Sequence, residues 1–167
     1  MNVIFCTSPF QVLVAKEVVG YIKEDFIGVY LKMSDDPRQQ LYAERMKEFC
    51  SEVLVLEGKT AFHDIKEYFE GRSVSSLYLA SLDNPVALSI FNPNATSLYT
   101  FDDGSTSIMP KSMYTVGAYR GIPYTNFTLK EVMSLSKGHY TVFNGCTLFP
   151  KEVELTGWTI RDKLTSN

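Results

Sequence analysis

The chain has 167 residues, of which 45% are hydrophobic and 21% charged, with a formal net charge of −3. That length suits one domain with a real core, and the composition excludes a disordered chain. A weakly acidic chain without a lysine or arginine run offers no field for nucleic acid, so no nucleic-acid partner is expected.

Val3–Cys6 is a short continuous apolar run that reads as a strand buried on both faces. Thr7-Ser8-Pro9 follows, a hydroxyl residue before proline, which signals a helix start. Phe10, Leu13, Val14 and Val18 then recur at helical spacing, so residues 2–22 read strand, tight turn, helix. Phe26–Leu31 predicts a second strand, 38–50 a helix, Val53–Leu56 a third strand and 60–70 a short helix. Residues 75–81 predict a fourth strand, Asn84-Pro85 opens another helix, and 96–101 predicts a fifth strand.

Five alternations of strand and helix imply right-handed crossovers and a doubly wound α/β domain, Rossmann-like, with a parallel sheet covered on both faces. Beyond residue 105 the regularity stops. Residues 105–125 read as a loop, 127–135 as a helix and 139–145 as a strand or extended segment, while the tail from Pro150 shows no pattern. The expected organisation is a domain over 1–145 and a tail or linker over 146–167.

Three cysteines, Cys6, Cys50 and Cys146, are too few and too widely spaced for a disulfide framework or a zinc site. Reduced thiols in a cytoplasm fit best, with Cys6 and Cys50 as small core residues. The N-terminus lacks the basic and apolar regions of a signal peptide, and no window reaches the roughly 20 apolar residues of a spanning helix. A cytoplasmic location is expected, with peripheral attachment to an inner membrane as a further option.

In open α/β sheets, ligands gather beyond the carboxyl ends of the strands. Three stretches fall at such ends: Thr7-Ser8-Pro9, Ser81-Leu82-Asp83-Asn84 and Asp102-Asp103-Gly104-Ser105. With strand order 3-2-1-4-5, all three line one edge. Asp102 and Asp103 are either turn chemistry or the rim of a site. Two close carboxylates repel, so one keeps its proton to higher pH and serves as a base nearer neutrality. Gly104 permits a turn or a close approach to ligand. Thr7 and Ser8 are a helix cap or an anion-facing loop, and Asp83-Asn84 is a helix cap or part of the cleft. No third carboxylate lies nearby in sequence for a metal, and neither a G-x-G-x-x-G nor a P-loop is present. His63 reads as surface or capping and His139 as a backbone-bonding residue, so no nucleophilic triad is supported. Tyr114, Tyr119, Tyr124 and Tyr140 either pack or stack on a sugar ring.

Three stretches carry a resemblance. Residues 2–19 (NVIFCTSPFQVLVAKEVV), residues 76–91 followed by 98–108 with Phe-Asp-Asp-Gly at 101–104, and His139-Tyr140-Thr141-Val142-Phe143 resemble blocks of glycosyltransferase family 52, which holds bacterial lipooligosaccharide α-2,3-sialyltransferases. The resemblance implies a GT-B enzyme of two Rossmann-like halves that uses CMP-sialic acid with inversion and no essential metal or other cofactor. Asp102, Asp103 and Gly104 match its acidic-acidic-Gly motif. No His-Pro motif is present, since neither His63 nor His139 precedes proline. The expectation is therefore an acceptor-side half that takes a glycan acceptor and needs a C-terminal half for the CMP-sialic acid donor. Asp102 and Asp103 would be catalytic, with Thr7, Ser8, Ser81, Asp83, Gly104 and Ser105 shaping the acceptor site. Without the nucleotide half the chain is expected to be inactive alone and to form a homodimer through an exposed apolar face. The alternative is a non-catalytic glycan- or protein-binding module on the same fold.

Overall fold

A computed structural model describes residues 1–104, 117–143 and 152–155. Seven strands form one sheet: β1 (Asn2–Cys6), β2 (Phe26–Lys32), β3 (Glu52–Glu57), β4 (Ser76–Leu79), β5 (Ser97–Phe101), β6 (Ser136–Thr141) and β7 (Glu152–Glu154). Their order is β3-β2-β1-β4-β5-β6-β7, and every pairing is parallel. Order reverses between β1 and β4, which is where an α/β sheet opens a crevice. The expected order of the first five strands and the doubly wound, Rossmann-like class both stand.

Strand alternation divides the core in two. Val3 and Phe5 of β1, Val29 of β2 and Leu77 and Leu79 of β4 point to one face. There they meet α3 (Ala61–Phe69), α4 (Pro85–Leu88) and α5 (Leu129–Leu135) through Ile65, Val86 and Val132. Ile4, Cys6, Tyr30 and Tyr78 point to the other face, against α1 (Pro9–Ile22) and α2 (Pro37–Arg45) through Val14, Val18 and Ala43. Cys6 and Cys50 are buried free thiols of this second layer, as expected. Burial pushes the Cys6 thiol well up and that of Cys50 up to about 12, so both stay protonated at neutral pH. Gly28 on β2 admits the adjoining turn closely: a Cβ there would lie 2.9 Å from Met46 Cε and 3.0 Å from Cys50 Sγ.

The helix starts are those the sequence marks. Ser8 caps α1 by accepting from the Gln11 N–H, and Asn84 caps α4 by accepting from Val86 and Ala87. Proline stands at the first helical position in α1, α2 and α4. The chief departures lie in the C-terminal third. β6 begins at Ser136, directly after α5 and before the expected 139. Ser-Lys-Gly has little strand propensity, but the buried Ser136 hydroxyl pairs with Thr100 of β5 at 2.8 Å and draws the segment into the sheet. β7, in the stretch without a sequence pattern, adds a seventh strand beside β6.

Candidate functional site

The loops after β1, β4 and β5 meet at the carboxyl edge of the sheet. Thr7 Oγ1 lies 3.0 Å from Ser81 Oγ, joining the first loop to the second. Gln11 Nε2 donates to Ser81 Oγ at 3.0 Å and to Asp103 Oδ1 at 2.7 Å, joining both to the third. The Gln11 carbonyl is held in turn by the Thr7 backbone N–H at 2.8 Å. One buried amide therefore fixes all three loops, with its donors and acceptor both used.

Sequence reasoning passed over Gln11, although a signal was present. Ser8-Pro9-Phe10-Gln11 fits the S-x-x-Q capping pattern. Gln11 also shares a helical stripe with Ala15 and Val18, both buried. A polar side chain on such a stripe must find a buried partner, and here the partner is the site.

The two aspartates separate. Asp102 is fully buried. Its Oδ2 accepts from the Val142 N–H at 2.7 Å and from Thr141 Oγ1 at 3.1 Å, and its Oδ1 lies 3.1 Å from His139 Nε2. His139 Nδ1 reaches Thr100 Oγ1 at 2.9 Å, so the carboxylate, imidazole and hydroxyl form one buried chain between β5 and β6. His139 thus bonds side chains, where backbone bonding was expected. The Phe-Asp-Asp-Gly and His-Tyr-Thr stretches singled out separately in the sequence touch through this carboxylate.

Asp103 lies at the rim, partly buried. Among the described residues only Gln11 hydrogen-bonds to it, at Oδ1, which leaves Oδ2 to accept from a ligand. Burial, first, pushes its carboxyl above the ordinary value; the Gln11 bond works the other way, and the charge of Asp83 adds to the rise. A carboxylate from another loop, that of Asp83, therefore acts on Asp103. Gly104, at φ +62°, turns the chain away immediately after Asp103.

Thr7, Ser81, Asp103 and the electrostatically coupled Asp83 are thus brought together, Ser8 serves as the helix cap, and Ser105 lies outside the described residues. Asp83 also borders a small cavity of about 100 Å³ with Arg120, Ile122 and Pro123. Of the four tyrosines, Tyr140 packs in an aromatic row with Tyr78 and Tyr99, Tyr119 and Tyr124 are exposed, and Tyr114 lies outside the described residues.

Among the described residues one group could hold a metal: His63, Asp64 and Glu67, within 4.8 Å of one another on α3 and not at this rim. No helix among them is long and apolar enough to cross a membrane.

No family model matches the chain. Two curated proteins do. A CMP-N-acetylneuraminate:beta-galactoside alpha-2,3-sialyltransferase of Pasteurella multocida (strain Pm70) is 26% identical over 175 residues, covering 92% of this chain and 56% of that protein. An N-acetyllactosaminide alpha-2,3-sialyltransferase of Haemophilus influenzae is 26% identical over 162 residues, covering 86% of this chain and 53% of that protein. The chain spans about half the length of the curated relatives it matches. Read with the motifs that meet at Asp102, these matches make the chain sialyltransferase-like in sequence.

Proposed function

We propose that the chain is the acceptor-side domain of a sialyltransferase of the family 52 type, and that Asp103 receives the acceptor hydroxyl. The observation that carries this reading is that Gln11 ties Asp103, after β5, to the loops of β1 and β4 that flank the reversal of strand order, with Oδ2 left for a ligand. In the transfer, a galactoside hydroxyl attacks the anomeric carbon of CMP-sialic acid. Its proton passes to Asp103 Oδ2, the new glycosidic bond forms with inversion, and CMP leaves with the bonding electrons. A carboxylate whose affinity for protons is raised is a better base for that step than an ordinary one. Asp102 takes no proton in this scheme; it positions the strand end from which Asp103 projects. Thr7, Ser81, Asp83 and Gly104 shape the acceptor subsite. The donor is bound by groups beyond this domain, so the chain by itself does not carry out transfer. A second copy of the chain is a further partner in this reading, and lipooligosaccharide or capsule is the setting in which a galactoside acceptor would be met.

The test is acceptor binding. The 167-residue chain should bind lactose, followed by amide shifts around Thr7, Ser81 and Asp103. Asp103→Asn should weaken that binding about tenfold, the equivalent of about 1.4 kcal/mol. Unchanged affinity in the variant would favour the non-catalytic binding module, and no lactose binding by the parent would remove the acceptor-side reading.

A further inference from the structure

A second, larger cavity of about 880 Å³ lies along the same carboxyl edge, beyond β2 and β3. Its chemistry is opposite to that of the Asp103 rim. Lys32, Lys59 and Lys66 line it together with Phe62 and Tyr124, and no carboxylate is among its lining residues. Lys32 has Glu57 at 3.8 Å; among the described residues neither Lys59 nor Lys66 has an ion-pair partner.

The aromatic side of the cavity is held by a tight turn. Tyr124 is held at φ +63°, a left-handed conformation that an ordinary residue adopts at a cost. The turn that imposes it is closed by the Ile122 N–H donating to Phe127 O at 2.9 Å and the Thr125 N–H donating to Ile122 O at 3.2 Å. The result is a tyrosine residue 88% exposed, its ring set edge-on to that of Phe62 at 5.7 Å. A core residue would not be presented this way.

The two cavities share their walls. The 120–124 turn gives Ile122 and Pro123 to the small cavity beside Asp83 and Tyr124 to the large one, and the segment after β4 gives Asp83 to the first and Val86 to the second. From β2 to β5 is three strand spacings, about 14 Å, the reach of a short oligosaccharide.

We propose that this cavity binds the distal part of the acceptor, and that the part it selects is an anionic sugar bearing a phosphate or carboxylate. Exposed aromatic faces stack on sugar rings, and ammonium groups without partners attract the anion. Asp83 and Asp103 repel an anion from the rim, so the neutral, reacting sugar is directed there and the charged one to the lysines. The choice of a saccharide rests on the acceptor-side reading; the anion selectivity does not.

The test is direct binding of galactose 6-phosphate, methyl β-galactoside, inorganic phosphate and CMP to the isotope-labelled 167-residue chain. Galactose 6-phosphate should shift the amides around Phe62, Lys66 and Tyr124 and bind at least tenfold more tightly than the neutral galactoside at that cavity. The exposed double variant Lys59→Gln/Lys66→Gln should lose that preference, and Tyr124→Ala should weaken the sugar phosphate while sparing inorganic phosphate. Asp103→Asn should leave binding here unchanged, which separates failure of this proposal from failure of the Asp103 role. Equal binding of neutral and phosphorylated sugar would overturn the proposal. So would inorganic phosphate as tight as the sugar phosphate, which marks an anion site without sugar recognition, or tighter binding of CMP, which marks a nucleotide site.

Discussion

Asp102 and Asp103 are adjacent and chemically identical, yet one is fully buried and the other stands at the rim. Asp102 is buried among donors from β6, and replacing it by alanine removes the acceptor of the Val142 N–H and the Thr141 hydroxyl. Leaving such a buried donor unmet costs about 2 kcal/mol, a fall of about 4–8 °C in Tm for a chain of this size. Asp103→Asn should behave differently. Its folded carboxyl binds protons more tightly than the unfolded one, because burial raises it. Stability from this group is therefore greatest at acid pH and is lost as pH rises from the unfolded value of about 3.9 through the raised folded value. The variant does not pay that loss. It should be at least as stable as the parent at pH 7, with its advantage disappearing below about pH 3.5. Thermal melts of both variants across pH check the pair, and an Asp103→Asn protein less stable than the parent at pH 7 would contradict the argument. The same two residues show what is legible in a sequence. The pair was visible as a candidate site, but the division between them was not, because it depends on which oxygen finds a donor thirty-nine or forty residues away.

At the level of elements, the early strands and helices were legible because their apolar spacing and their caps agree. Ser8-Pro9 and Asn84-Pro85 each place a capping side chain directly before a proline. The late strands were harder to read because tertiary contacts made them. β7 has only three residues, and Leu155 beyond it anchors the edge: it is buried in the α1/α2 layer, and its N–H donates to Thr141 O at 2.8 Å. Leu155→Ala should therefore cost about 2–3 kcal/mol, as truncation of a buried leucine does, which denaturant melts would detect. A loss below about 0.5 kcal/mol, the level of an ordinary surface change, would show the 152–155 segment to be a mere tail.

Across the whole molecule, charge of opposite sign gathers at two places on the carboxyl edge of the sheet. The rim at the strand reversal carries Asp83 and Asp103 with hydroxyls from Thr7 and Ser81, and Arg120 borders the cavity at Asp83. On the proposed reading such a surface takes a neutral hydroxyl acceptor, and the phosphate of a nucleotide sugar, whose departure requires cations or hydrogen-bond donors around it, is met by other groups. The purified 167-residue chain should accordingly show no turnover of CMP-sialic acid with lactose. Robust transfer, read as labelled sialyl-lactose, would refute the assignment of donor binding to groups beyond this domain. Light scattering on the same sample tests the second copy, since a mass near 18.9 kDa would mean a monomer.

The sequence by itself determined the alternation of strand and helix, the strand ends at which loops gather, and the acidic pair, because apolar period and cap chemistry are local properties of the chain. Only the tertiary structure decided that Asp102 is bound inward by His139, Thr141 and Val142 while Asp103 is held at the rim by Gln11. Those bonds join residues 37 to 92 positions apart. A carboxylate's burial and its affinity for protons are set by the groups that folding brings to it, and no local pattern encodes them.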